Sequence, residues 1–107
     1  MSKKTDKVRG SHTGRPIMRL LDVMGKRWSL RILWELQDAR LSFRELRARC
    51  DDVSPSSLNA RLRELRELDL VDLTPEGYGY TAWGRQLGTR LIDLDQWAGT
   101  WDQNRTR

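Results

Sequence analysis

One stretch, residues 54–70, constrains this chain more than any other: Ser-Pro-Ser-Ser-Leu-Asn-Ala-Arg-Leu-Arg-Glu-Leu-Arg-Glu-Leu-Asp-Leu. Ser54 is an N-cap, because its hydroxyl can accept an orphan backbone N–H of the first helical turn. Pro55 follows at the first helical position, where a missing N–H costs nothing. Leu58, Leu62 and Leu65 then recur at i, i+4 and i+7, which places them in one apolar stripe and predicts a helix over about 55–68. Ser56, Asn59, Ala60 and Arg63 fall on the opposite side, with Arg61 and Arg66 on the flanks. Hydrogen-bonding groups, a small residue and guanidinium forks on one face suit a helix lying in a DNA major groove. A surface helix with a solvated Arg/Glu face fits this stretch equally well, so its neighbours must decide.

The preceding segment supplies the first test. Ser42 has Glu45 three residues on, the capping-box spacing, and predicts a short helix from Phe43 to about Cys50 with Phe43 and Leu46 inward. Arg44, Arg47 and Arg49 then point outward. Residues 51–53 form the link, giving a short helix, a tight turn and a longer helix with an outward polar face. This is the helix-turn-helix pattern. Upstream, Pro16 opens a helix carrying Ile17, Leu20, Leu21 and Met24, ended by Gly25. A second helix is expected from near Arg27, with Trp28, Ile32, Leu33 and Leu36 on overlapping apolar faces, and residues 37–40 form the turn that follows.

After Leu70 the hydrophobic period drops from about 3.6 to about 2. Residues 71–74 alternate, Pro75, Glu76 and Gly77 signal a turn, and residues 78–81 alternate again. This predicts a two-stranded hairpin with Gly77 at the left-handed turn position. A hairpin directly after a reading helix is the wing of a winged helix. Thr81 can cap a last helix running to about Trp101, whose stripe is Leu87, Leu91, Leu94, Trp97 and Trp101. The fold class is therefore mainly α with a small β-hairpin: a winged helix-turn-helix with an additional C-terminal helix.

Charge sharpens the reading. The chain has 107 residues, one domain's worth, and carries a net charge of +5. Residues 1–15 account for +4 through Lys3, Lys4, Lys7, Arg9 and Arg15 against Asp6. The remainder, with fifteen basic and fourteen acidic groups, is close to neutral. Within it, residues 40–66 hold seven Arg against Glu45, Asp51, Asp52 and Glu64, so the basic charge gathers around the reading helix as a polyanion footprint should. Residues 1–14 are too polar to bury a core and are expected to form a disordered basic arm. Residues 15–102 are expected to be the folded domain and 103–107 a flexible tail.

No catalytic set is present. His12, the only histidine, sits in the arm, and Asp51 and Asp52 are neighbours in a link, so neither an enzyme, a metal site nor a cofactor is expected. Cys50 lies where an aliphatic residue would pack and reads as core filler; a redox switch tuned by Arg47 and Arg49 is the alternative. With one cysteine, no membrane-length apolar run and no apolar leader, a cytoplasmic protein is expected. The five tryptophans read as core and dimer packing, with an effector pocket as the alternative.

Several strings in fixed order resemble the HxlR-type winged helix-turn-helix regulators, relatives of the MarR group. They are Pro16-Ile17, then Leu21-Asp22-Val23-Met24-Gly25, then Arg27-Trp28-Ser29-Leu30. Ile32-Leu33, Glu35-Leu36, Phe43 with Glu45-Leu46-Arg47, and Val53-Ser54-Pro55 follow. The strongest is Leu58-Asn59-Ala60-Arg61-Leu62-Arg63-Glu64-Leu65 leading to Leu70-Val71, completed by Tyr78, Thr81, Gly84 and Leu87. The resemblance spans about residues 15–100. It implies a homodimeric transcription regulator, a repressor, that binds double-stranded DNA. Ser56, Asn59, Ala60 and Arg63 would face base edges, and Ser54, Ser57, Arg61, Arg44 and Arg47 would hold phosphates. Pairing through the terminal helices would engage Ile17, Leu20, Leu91, Leu94, Trp97 and Trp101. A winged-helix protein-interaction adaptor and an RNA or single-strand binder are the alternatives.

This chain departs from the family pattern in four places. Arg15 stands where many members carry a cysteine before the Pro-Ile pair, which removes a thiol sensor at that position. The wing, at 75–77, is short, and its tip is Glu76 rather than a basic residue. Asp69 replaces a helix-ending glycine, and Ala82 replaces a proline. No residue pattern specifies an operator or an effector.

Overall fold

The computed structural model describes residues 14–105, so the expected arm lies outside the described residues apart from Gly14. Five helices and one hairpin follow in order: α1 (Pro16–Met24), α2 (Ser29–Glu35), α3 (Phe43–Arg49), α4 (Pro55–Glu67), β1 (Val71–Thr74), β2 (Gly77–Tyr80) and α5 (Ala82–Arg105). The mainly α winged helix-turn-helix expected above is the fold observed. No described helix is long and apolar enough to cross a membrane.

Local capping sets most boundaries. Ser54 Oγ accepts from Ser57 N at 3.2 Å, and Pro55 opens α4. At α3 the capping box is complete: Glu45 N donates to Ser42 Oγ at 3.0 Å while Ser42 N donates to Glu45 Oε1 at 2.8 Å. The Ser42 backbone N–H accordingly holds the Glu45 carboxyl below its usual range. Thr81 Oγ1 accepts from Gly84 N at 3.0 Å and starts α5. Gly25 ends α1 as expected, in ordinary right-handed geometry, its N–H donating to Leu21 O at 2.8 Å.

Three boundaries differ from expectation. α2 begins at Ser29, two residues later than expected, because Trp28 adopts φ 79°, a left-handed conformation that no helix continues through. α5 does not stop near Trp101 but runs through Arg105, so residues 103–105 are helix rather than tail; residues 106–107 lie outside the described residues. In the wing, Thr74 pairs with Gly77, leaving Pro75 and Glu76 alone as the loop, and Gly77 takes φ 115° as the first residue of β2. Leu41 also bridges Tyr78, adding a short third strand position that the sequence reading lacked.

The core gathers Ile32, Leu33 and Leu36 of α2 and its cap with Leu46 and Cys50 of the α3 end. Leu58, Leu62 and Leu65 of α4 join them, with Val71 and Tyr80 of the wing. Leu41, Val53 and Leu70 close it from the connecting turns. None of the five tryptophans is buried, so core packing fails as the reason for their number; only Trp28 packs partly against the core. Asp69 takes φ 61°, the strained helix-ending position expected of it. α5 approaches the wing closely: a Cβ on Gly84 would fall 1.9 Å from Leu70 O, and one on Gly88 would fall 2.7 Å from the Tyr80 ring. The Tyr80 hydroxyl donates to Leu33 O, and Gln37 Nε2 donates to Gly88 O at 2.9 Å.

Candidate nucleic-acid interface

The turn between α3 and α4 is built by two consecutive left-handed residues, Asp51 (φ 58°) and Asp52 (φ 56°), a conformation Asp tolerates better than most. Asp52 N donates to Arg47 O at 2.8 Å and Val53 N to Cys50 O at 3.1 Å. Arg47 Nε donates to Val53 O at 2.7 Å, so this side chain fixes the turn with one N–H and leaves its two Nη groups for another partner. Arg44 is exposed.

Burying Leu58, Leu62 and Leu65 determines what α4 shows outward. Ser56, Asn59 and Arg63 are exposed, Ala60 is half-buried, and Arg66 and Glu67 extend the same outer side toward the C-terminal end. From Ser56 to Arg63 the outer face runs about 10 Å along the axis at 1.5 Å per residue. Arg63 and Arg66 have no carboxylate within ion-pair distance among the described residues. Glu67, one turn beyond Arg63, puts a negative charge at that end of the face.

Arg61 has a different environment from the one expected of a phosphate contact. Its Nε lies 2.9 Å from Glu64 Oε1 and its Nη2 3.3 Å from Oε2. Lys26, in the turn between α1 and α2, reaches the same carboxylate, Nζ to Oε2 at 2.8 Å. Burial by itself would raise the Glu64 carboxyl, but the Lys26 hydrogen bond and the charges of Arg61 and Lys26 outweigh it and hold it below its usual range.

The wing is held by a residue that the sequence reading left in a turn. Arg40 Nη1 donates to Gly77 O at 2.9 Å, and its Nη2 lies 2.7 Å from Asp72 Oδ1. The side chain crosses the strand over Gly79, where a Cβ would fall 2.6 Å from Arg40 Cγ. A glycine inside a strand marks such a close approach, so the signal for Arg40 was Gly79. The wing tip presents Pro75 and Glu76, both exposed.

Away from α4, both α1 and α5 expose apolar side chains. Ile17 and Leu21 of α1 are exposed, and on α5 Leu94, Trp97 and Trp101 keep 56%, 60% and 48% of their surface in solvent. Trp97 and Trp101 stack at 5.8 Å, with the Arg105 guanidinium 4.3 Å from the Trp101 ring. Leu20 and Leu91 instead pack partly against the core. A 530 Å³ cleft between α1, α2 and α5 is lined chiefly by Leu21, Met24, Leu30, Trp34, Leu91 and Leu94. Cys50 is fully buried at the end of α3; burial pushes its thiol up, and the opposing cation is Arg31 rather than Arg47 or Arg49.

Residues 23–106 match the family of HxlR-like helix-turn-helix proteins. The chain is similar to the HTH-type transcriptional regulator YvaP of Bacillus subtilis, 30% identical over 90 residues that cover 78% of this chain and 83% of that one. Among solved structures it is similar to quinone-bound YodB of B. subtilis, with a TM-score of 0.72, 26% identity, and 78% and 96% of the two chains covered. A MarR-family transcriptional regulator of Enterococcus faecalis V583 gives a TM-score of 0.74 at 25% identity, covering 92% of this chain and 99% of that one.

Proposed function

Because this chain belongs to the HxlR-like helix-turn-helix family of transcriptional regulators, we propose that it binds double-stranded DNA in a sequence-specific manner as a homodimer and represses transcription. The observation that carries the reading is the outer face of α4. Leu58, Leu62 and Leu65 anchor the helix from behind, while Ser56, Asn59 and Arg63 are left toward solvent with the half-buried Ala60 beside them. These side chains approach base edges in the major groove, where an Arg fork matches guanine O6 and N7 and an Asn amide matches adenine N6 and N7. Ser54, Ser57, Arg44 and the Nη groups of Arg47 hold phosphates on either side and fix register. The wing contributes little to affinity, since its tip is Glu76 and the guanidinium crossing it, Arg40, is already paired with Asp72.

Dimer formation would cover the exposed apolar side chains of Ile17, Leu94, Trp97 and Trp101. A two-fold pair would present two α4 helices to successive major-groove turns. Repression follows from occupancy: a bound dimer covering a promoter blocks it without further machinery.

The test is selection of bound duplexes from a random DNA pool at near-physiological salt. Enrichment of an inverted repeat with half-sites about one helical turn apart, roughly 34–36 Å, is the expected result. Failure to enrich any sequence, despite salt-sensitive binding, would reduce the reading to phosphate attraction alone.

A further inference from the structure

The carboxylate of Glu64 joins the reading helix to a turn distant in the chain. It gathers three N–H donors from two sources: Lys26 Nζ at 2.8 Å, and Arg61 Nε and Nη2 at 2.9 and 3.3 Å. All three side chains are largely shielded, with 28%, 21% and 19% of the Lys26, Arg61 and Glu64 side chains exposed. Lys26 is itself fixed, because its backbone N–H donates to Val23 O at 3.0 Å and its carbonyl accepts from Ser29 N at 3.2 Å. The left-handed Trp28 closes the same turn. Glu64 therefore fastens α4 to a rigid corner 38 residues earlier in the chain.

Geometry gives this tie a consequence for reading. The leucine stripe decides which side of α4 is buried, but apolar contacts are non-directional and leave rotation about the helix axis loosely determined. With side chains ending about 5–6 Å from the axis, a 10° rotation moves the tips of Asn59 and Arg63 by about 1 Å. A shift of that size breaks a bidentate contact to a base. The same carboxylate engages the Arg61 guanidinium through Nε and Nη2.

On the reading of α4 as a DNA-contacting helix, we propose that Glu64 is a positioning residue for sequence discrimination: through Lys26 it sets the rotation of α4, and by pairing Arg61 it withholds that guanidinium from the phosphate backbone.

The experiment compares binding to two duplexes across 50–200 mM salt: a mixed-sequence duplex of 30 base pairs and the duplex enriched by selection. On the mixed duplex, Arg61→Ala is expected to leave affinity within twofold of wild type and the salt slope unchanged. Glu64→Gln, which frees two cations, is expected to bind the mixed duplex more tightly and with a slope steeper by about one to two. Each added phosphate contact multiplies the affinity lost over that fourfold salt range by about 3.5. Its preference for the selected duplex falls at the same time. Lys26→Met loosens the tie without altering α4, so preference falls while the slope on the mixed duplex holds; Lys26→Arg, which keeps the charge, retains the preference. A slope lowered by about one in Arg61→Ala would overturn the proposal by making Arg61 a phosphate contact. So would an unchanged preference in Lys26→Met, or a parallel loss on both duplexes in Glu64→Gln, which would leave only a structural ion pair. Wild-type protein that binds neither duplex would overturn the DNA reading itself, and the positioning role with it.

Discussion

Gly84→Ala and Gly99→Ala make the same chemical change in the same helix, and the structure assigns them opposite signs. Alanine in a helix interior is favoured over glycine by about 1 kcal/mol at most, a gain that applies at Gly99 and is smaller at Gly84, in the first turn of α5. At Gly99 nothing lies within 4 Å of the added Cβ, and the residue lines up with Asp95 and Asp102 on a polar side of α5, so the gain stands. At Gly84 the Cβ would fall 1.9 Å from Leu70 O and 3.0 Å from its carbonyl carbon. Ordinary C···O contacts begin near about 3.3 Å, so α5 must retreat by more than 1 Å from the start of the wing. The obstacle is backbone, which cannot rotate aside. That retreat also loosens the Tyr80 ring against Gly88 and the Gln37–Gly88 hydrogen bond. Overpacking of this kind costs about 1–3 kcal/mol, with backbone obstacles at the upper end. Net of the helix gain, Gly84→Ala should lose about 2 kcal/mol, and the two variants should differ by about 3 kcal/mol. For a domain of this size that difference corresponds to roughly 12–24 °C in melting temperature. Thermal unfolding followed by far-UV circular dichroism, with protein concentration held constant because any self-association would shift the midpoint, measures it directly. Equal midpoints for the two variants, or a gain in Gly84→Ala, would refute the close docking of α5 on Leu70.

Other substitutions test separate features. Burial raises the Tyr80 phenol to about 12, with the nearby Arg85 opposing, so the folded state keeps a proton that the unfolded chain releases from its ordinary value of 10.0. The Tyr80 contribution to stability should therefore be level below pH 10 and fall as pH rises from 10 toward 12. Tyr80→Phe should cost about 1 kcal/mol near neutral pH by losing the bond to Leu33 O, and should remove that part of the alkaline fall in urea titrations. At φ 61°, Asp69→Gly should raise stability by up to about 1 kcal/mol and Asp69→Val lower it by about 1–2 kcal/mol; midpoints in the opposite order would contradict the left-handed geometry. The fully buried Cys50 should react with a thiol reagent at a rate that follows unfolding, accelerating in step with added urea; fast labelling in native buffer would show an open α3 end. Leu94→Arg should shift the protein toward monomer in sedimentation at micromolar concentration, while an unchanged mass would remove this face of α5 from the dimer seam.

Much of the fold was legible because its signals are short-range. Ser54 with Pro55, Ser42 with Glu45, and Thr81 with Gly84 act within three or four residues, so the caps could be read before any packing was known. The change of period after Leu70 marked the wing for the same reason, and the leucine spacing alone decided which side of α4 turns inward. The misplaced boundaries have equally local causes that spacing does not carry. Helical periodicity runs straight through Trp28, yet its positive φ delays α2, and polar residues 103–105 simply continue α5.

The amino-acid sequence by itself determined the helices, their caps, the buried stripe of α4 and the residues opposite it, since each depends on neighbours a turn or less apart. Tertiary structure decided which polar groups remain free. Arg40 was a turn residue until β2 came beneath it, and Arg61 resembled Arg63 until Lys26 and Glu64 met across 38 residues. The tryptophans likewise read as core and dimer packing until the core filled without them. Spacing along a chain encodes direction from a helix axis. Whether a charge finds a partner depends on elements whose relative placement arises only when the whole core closes.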